Sequence, residues 1–394
     1  MSGTLGNIYN NISFALGLHA EALARLQEQV STGARINRVS DGPSAAYRIL
    51  GLNSEERSLV NYLDNLSEVV SSLEHSSAAI GHIILSVVET KTRLTQITGG
   101  IYNQDGRRML AEGINDTLEH VVLLANTERL NQYMFGGGNT TSAPYIVERT
   151  DGKITGVTYQ GSVEGRNIEL GPGVQVDAFY VGDNIFGSAS RSDPVFLGDT
   201  GAEAGTGTSS VSGYTWLTVT GSADNYDLSI DGGLTTFNTD GTNTNLAVTH
   251  SLTGEVLYVD TTDINNIGDA LVAVPGTNDI FNTLITIRDL LENERGLSDA
   301  QVLELLRDSF SSLDEINNLL VRTQVSIGSK IGFLDNLGDS LKNLKYNTED
   351  ETTRLQEADI AQVAIDISRR EVLYQLSLSV AARLMSMSLL DFLE

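Results

Sequence analysis

A chain of 394 residues with 51 acidic and 25 basic side chains carries a net charge of −26, so it has no basic stripe to displace counterions from a phosphate backbone, and nucleic acid is excluded as a partner. With no cysteine, disulfide scaffolds and thiolate metal sites are excluded too. Aromatic content of 6%, with one Trp and 5 Pro, suits long aliphatic helices better than a compact, pocketed enzyme, and the length points to roughly two to three domains.

The chain opens without a basic segment, apolar run and small-residue cleavage site, so no cleavable secretory signal is expected. No run of about twenty apolar residues predicts a membrane span. Leu5, Ile8, Ile12, Leu16, Leu23, Leu26 and Val30 instead fall on one face of a helix, with His19 in the same row. Gly33, Asp41, Gly42 and Pro43 then break the pattern, and Ser40 or Asp41 with Pro43 next door reads as a helix N-terminus, with a second helix beginning near Ser44. The polar connection between them carries Arg35 and Arg38.

Leu52, Leu59, Leu66, Leu73, Ile80, Val87 and Leu94 follow at an unbroken spacing of seven, with Tyr62, Val69, Ile83 and Ile97 in second positions. That is a heptad seam, and it predicts one helix from Ala45 to Thr98, stopped by Gly99 and Gly100. A shorter helix is expected from about Asp105 to Gln132, ending in YMFGGGNTTSAPY.

From Tyr145 the period shortens to two, and between Ser188 and Thr262 short alternating pieces sit in Gly, Ser, Thr, Asn and Asp. These predict strands and hairpins. Arg191 to Pro275 holds eleven acids against one base, a charge of −10, so this is the solvated part of the molecule.

Helix returns at Phe281, Leu284, Ile287 and Leu291. Val302, Leu306, Leu313, Ile316, Leu320, Ile327, Leu334, Leu337, Leu341 and Leu344 then make a second long seam, interrupted at Ser309, Thr323 and Lys330. Its natural partner is the Leu52–Ile97 seam, packed antiparallel. In the tail, Ile360, Val363, Ile367, Leu373, Leu376, Val380, Leu384 and Met387 form a last apolar stripe. Neither terminal stripe has a core of its own, so each is satisfied by the other and by neighbouring subunits. The expected fold is mainly α with a β insertion: a long antiparallel bundle or coiled coil built from both termini, plus an inserted small all-β domain.

Nothing in this pattern argues for catalysis, and no cofactor is expected. His75 and His82 are too far apart for a zinc helix, and HExxH is absent. DNYDLSIDGG misses the calcium-loop pattern, and no G-x-S-x-G elbow is present. FGGGN (Phe135–Asn139) follows a helix and lacks the Lys-Ser/Thr pair of a phosphate cradle, so it reads as a tight turn.

LQEQVSTGARINRVSDGPSAAYRIL (Leu26–Leu50) resembles the N-terminal signature of the flagellin superfamily, and Arg354–Glu394 resembles its C-terminal signature. The Asp41-Gly42-Pro43 turn, Tyr133–Tyr145 and the final SLLDFL (Ser388–Leu393) are more similar to the hook–filament junction branch than to filament flagellins. Val39 stands where the pattern has Pro, and Gly42 where it has a second acid. The resemblance implies three layers: an inner terminal-helix domain (1–42 and 350–394), a helical bundle with β-hairpins (43–187 and 276–349) and a surface β domain (188–275). It also implies an extracellular flagellar protein, exported through the type III apparatus without a cleaved signal and held by a cytoplasmic chaperone before export. Its expected partners are a ring of its own copies, the first hook-associated protein FlgK, and flagellin. Three other readings stand beside it: a filament flagellin, an unrelated coiled-coil or phage fibre protein, and a glycan-binding or hydrolytic module in the β insertion.

Overall fold

The computed structural model describes residues 2–99, 103–171 and 173–393, with side chains described there except at 2–9, 99, 178 and 384–393. Seven helices are described: α1 (Ser2–Thr32), α2 (Pro43–Gly99), α3 (Gln104–Ala125), α4 (Asp183–Phe186), α5 (Ile280–Glu292), α6 (Asp299–Gln356) and α7 (Ile360–Leu393). The chain forms two compact units, Met1–Asp64 with Leu337–Glu394, and Asn65–Asn336.

In Asn65–Asn336 the core is the heptad seam. Leu66, Leu73, Ile80, Val87 and Leu94 of α2 are buried, as are Leu306, Leu313, Ile316, Leu320, Ile327 and Leu334 of α6. The two helices run antiparallel: Lys91 is ion-paired with Asp314, and Gln324 Nε2 donates to the Ser77 carbonyl at 3.4 Å.

In the other unit, the start of α2 and the end of α6 are joined by the Arg48–Glu351 ion pair. Leu59 and Leu341 are buried there, while Leu52 and Leu337 are half-buried. Leu344, expected in the core, is instead 52% exposed, and Thr348 and Thr352 are buried in its place. The cause is visible along α6, where the second heptad position is buried at Val302, Ser309 and Ile316 and half-buried at Thr323, Lys330 and Leu337. A straight α-helix drifts about 20° per heptad, so the buried face moves from the Val302 side of the Leu306–Thr348 series to its Thr352 side.

α3 is shorter than its expected Asp105–Gln132. It is capped by Asn103 Oδ1, which accepts from the Gly106 N–H at 2.9 Å, and it ends at Ala125. Asn126 then turns its side chain to the backbone of Tyr145, accepting from its N–H at 2.9 Å and donating to its carbonyl at 2.8 Å. Leu130 and Asn131, both at positive φ, form the turn of a small hairpin between β1 (Glu128–Arg129) and β2 (Gln132–Tyr133).

Two further hairpins follow, β3 (Tyr145–Thr150) with β4 (Lys153–Tyr159) and β5 (Arg166–Gly171) with β6 (Val174–Phe179). The FGGGN segment is a tight turn: a Cβ on Gly136 would meet the Asn139 carbonyl oxygen at 2.1 Å, and one on Gly137 that of Ser162 at 2.4 Å. Behind it Phe186 packs edge-on against Phe135 and Tyr145, with ring centroids 5.1 and 5.7 Å apart, and Tyr145 lies tilted against Phe281 at 4.8 Å. Arg288 of α5 is buried beside them, donating to the Ile154 carbonyl at 2.5 Å and pairing with Asp289 at 2.7 Å.

The insertion holds β7 (Val195–Leu197), β8 (Glu203–Ala204), β9 (Gly213–Ser222), β10 (Asn225–Ser229), β11 (Phe237–Thr239), β12 (Leu246–Thr249), β13 (Val256–Asp260) and β14 (Gly268–Val274). They pair antiparallel as a five-stranded sheet, β11-β10-β9-β14-β7, and a three-stranded one, β12-β13-β8. Alternate residues of both sheets, among them Leu217, Val219, Leu228, Val248, Leu257, Val259 and Val272, enclose one core. The insertion is tied to α6 by Tyr214, whose hydroxyl lies 2.6 Å from Ser312 Oγ, and by Glu315, which accepts from the Gly276 N–H at 3.1 Å and the Asn278 amide at 2.8 Å.

Asp279 caps α5 by accepting from the Asn282 N–H at 2.7 Å. Burial, with added repulsion from Asp183, pushes its carboxyl up to about 6. A carboxyl raised in the folded state contributes stability that is present below its ordinary value near 4 and lost as pH rises through about 6. Asn caps as well as Asp and carries no charge. Asp279→Asn is therefore expected to stabilise the protein above pH 6, by up to about 3 kcal/mol, and to change little at pH 4. Thermal unfolding of both proteins between pH 4 and 8 checks this.

Candidate assembly interface

α1 and α7, from opposite ends of the chain, pack against each other. Their base is closed by backbone hydrogen bonds. The Arg35 N–H donates to the Gln356 carbonyl at 2.7 Å, and the Ala358 N–H to the Gly33 carbonyl at 2.9 Å. Gly33 takes the left-handed backbone that ends α1, at φ 70°. Asp41 Oδ2 accepts from the backbone N–H groups of Asn37 and Arg38, and Asp359 Oδ1 accepts from that of Gln362, capping the start of α7.

On α1, Ile12, Leu16, His19, Leu23 and Leu26 are half-buried, and Val30 is 43% exposed. On α7, Val363 is buried and Ile367, Tyr374, Ser377 and Ala381 are half-buried. Leu5, Ile8, Leu384 and Met387 lie outside the described side chains.

The tail stripe expected from Ile360 to Met387 is two faces rather than one. Ile367 and Leu373 are six residues apart, which at about 100° per residue turns the second half roughly 120° away from the first. Leu373, Leu376 and Val380 consequently stand 39%, 57% and 52% exposed, while Ile360, at the first turn of α7, is 45% exposed. Ile365 and Val372 of α7, and Phe14 and Leu18 of α1, are exposed as well. A single-stripe reading passes over those four, although the signal was present: both helices carry apolar residues on more than one side. The pair thus hides one apolar face within the chain and leaves another uncovered, well beyond the scattered single residues of an ordinary surface.

Across the seam, Arg370 Nη1 lies 3.5 Å from His19 Nδ1. Among the described residues, no group of three or more His, Asp or Glu is placed to hold a metal ion, and no helix is long and apolar enough to cross a membrane.

Residues 7–140 match the family model of the bacterial flagellin N-terminal helical region. The chain is 25% identical over 162 residues to flagellar hook-associated protein 3 of Escherichia coli (strain K12), covering 41% of this chain and 49% of that protein. It is 24% identical over 122 residues to its counterpart in Salmonella typhimurium (strain LT2), covering 31% of this chain and 38% of that one. The aligned stretch thus spans half or less of either relative. Among solved structures, Xanthomonas campestris FlgL aligns at TM-score 0.52 with 18% identity, covering 77% of this chain and 99% of the other. Hook-associated protein-3 of Legionella pneumophila aligns at TM-score 0.53 with 14% identity, covering 78% and 98%. At such identities the likeness is one of fold.

Proposed function

We propose a structural role for this chain, which belongs to the flagellin superfamily as a FlgL-like protein: it is a subunit of the bacterial flagellum that joins hook to filament. The observation that carries the role is the uncovered apolar face of the paired terminal helices. Such a face in water costs free energy in proportion to its area, and copies of the same pair, packed beside and above, remove it. Folding of the terminal helices is then completed by assembly, as expected for long helices with little core of their own.

In this reading residues 1–42 and 350–394 form the inner layer of a ring of identical subunits. Residues 43–187 and 276–349 form the layer around it, and 188–275 faces solvent. The acidic insertion suits that place, since like charge between copies keeps outer surfaces apart. The neighbours are FlgK on the hook side and flagellin on the filament side, reached by type III export with a chaperone on the C-terminal helix. The role asks nothing of the protein as a catalyst.

A second reading, filament flagellin, draws on the match of residues 7–140 to the flagellin helical region. Quantifying the chain in sheared flagella separates the two. A junction subunit is scarce, present in a few copies per filament, whereas a chain that accounts for most of the sheared mass overturns the junction role.

A further inference from the structure

Between α1 and α7 lies a groove of about 520 Å³ whose lining includes Arg25, Gln29, Asp366, Arg369, Arg370 and Leu373. Three arginines converge here in a chain whose net charge is −26. Arg25 is matched by Glu21 at 2.8 Å, four residues away on its own helix. Among the described residues, the Arg370 side chain reaches only His19 Nδ1, at 3.5 Å. The Arg369 side chain has no ion pair or hydrogen bond among the described residues, although its helix carries both Asp366 and Glu371. On a helix at about 100° per residue, Arg369 falls among Leu373, Leu376 and Val380, on the uncovered face rather than the seam.

The groove and the apolar face beside it therefore have to be satisfied together. A small anion would neutralise the guanidinium groups and leave the leucines wet; an apolar surface alone would bury Arg369 unpaired, at a cost far above what the leucines return. What fits is a helix face carrying exposed apolar side chains and a carboxylate. The terminal helix pair of this same chain presents both, with Phe14, Leu18, Ile365 and Val372 exposed near Glu21 and Glu371. We propose that the groove between α1 and α7 receives a carboxylate from a second copy of this chain, paired to Arg369 and Arg370, so that charge fixes how copies register once apolar burial brings them together. This rests on the self-assembly stated above and adds its register-setting contact.

The absence of cysteine and the small number of lysines permit a direct test. In Arg369→Lys with Arg370→Lys, both positions keep their charge and gain an amine that a zero-length carbodiimide can join to a touching carboxylate. Intact flagella from cells carrying this variant are treated, denatured and resolved by mass. The expected result is a product of twice the chain mass, with peptide mapping placing the bond between position 369 or 370 and a carboxylate of the second copy. The charge-reversed Arg369→Glu with Arg370→Glu is expected to lower the chain's amount in flagella at least fivefold, while the lysine variant stays within twofold of the natural protein. If the chain is present in flagella but those positions link only within one chain or to a different protein, the inference is overturned and the structural role stands. If the unsubstituted chain is absent from flagella, both fall.

Discussion

Leu376→Asp is expected to remove this protein from flagella while leaving the unfolding of Asn65–Asn336 unchanged. Leu376 is 57% exposed in the single chain, so a carboxylate there remains hydrated and alters stability by no more than about 0.5 kcal/mol. In the proposed ring the same position would be covered by a neighbour, and each copy would have to bury an unpaired charge. That costs several kcal/mol, and every 1.4 kcal/mol is about tenfold in association, so roughly a hundredfold loss or more follows. Val363→Asp is the instructive contrast. Val363 is buried within the chain, so that substitution separates α1 from α7 before any neighbour is involved. Immunoblots of isolated flagella, with thermal melts of the two purified variants, distinguish these outcomes; Leu376→Asp protein at normal levels in flagella would refute the assembly role of this face.

The second large effect lies in the heptad core. Leu73 of α2 is completely buried. Leu73→Ala removes buried methyl groups and leaves a cavity that two long, stiff helices cannot close, for a cost of about 2 to 5 kcal/mol. Leu52→Ala, at a half-buried position of the same register, is expected to cost less than half as much. Urea unfolding followed by circular dichroism reads the helices, and the fluorescence of Trp216, the single Trp, reads the insertion through β9. Because Tyr214 and Glu315 bind the insertion to α6, the two signals are expected to shift together in Leu73→Ala.

These two substitutions mark where the sequence was legible and where it was not. The α2 seam could be read directly because its leucines repeat at one period on a helix that buries one side throughout. The same logic misled at Leu344, where the slow mismatch between a 3.5-residue repeat and a 3.6-residue helix accumulates over the length of α6. It misled again in α7, where Ile367 and Leu373 look like neighbours in a stripe and lie about a third of a turn apart. The existence of strands in the insertion was evident from alternation, but their pairing was not. Leu271 of β14 sits opposite Trp216 of β9 across an intervening stretch that includes β10 to β13, and short Thr-rich strands carry no mark of their partners. The Arg25–Arg369–Arg370 groove was invisible for a related reason: its members come from opposite ends of the chain and converge only when α1 and α7 pair.

The central claim is positional, so the most direct measurement is too. Immunogold labelling of intact cells with antibody to the exposed insertion is expected to give a single point of label where hook meets filament. Label distributed along the whole filament, or none on the flagellum, would contradict the account.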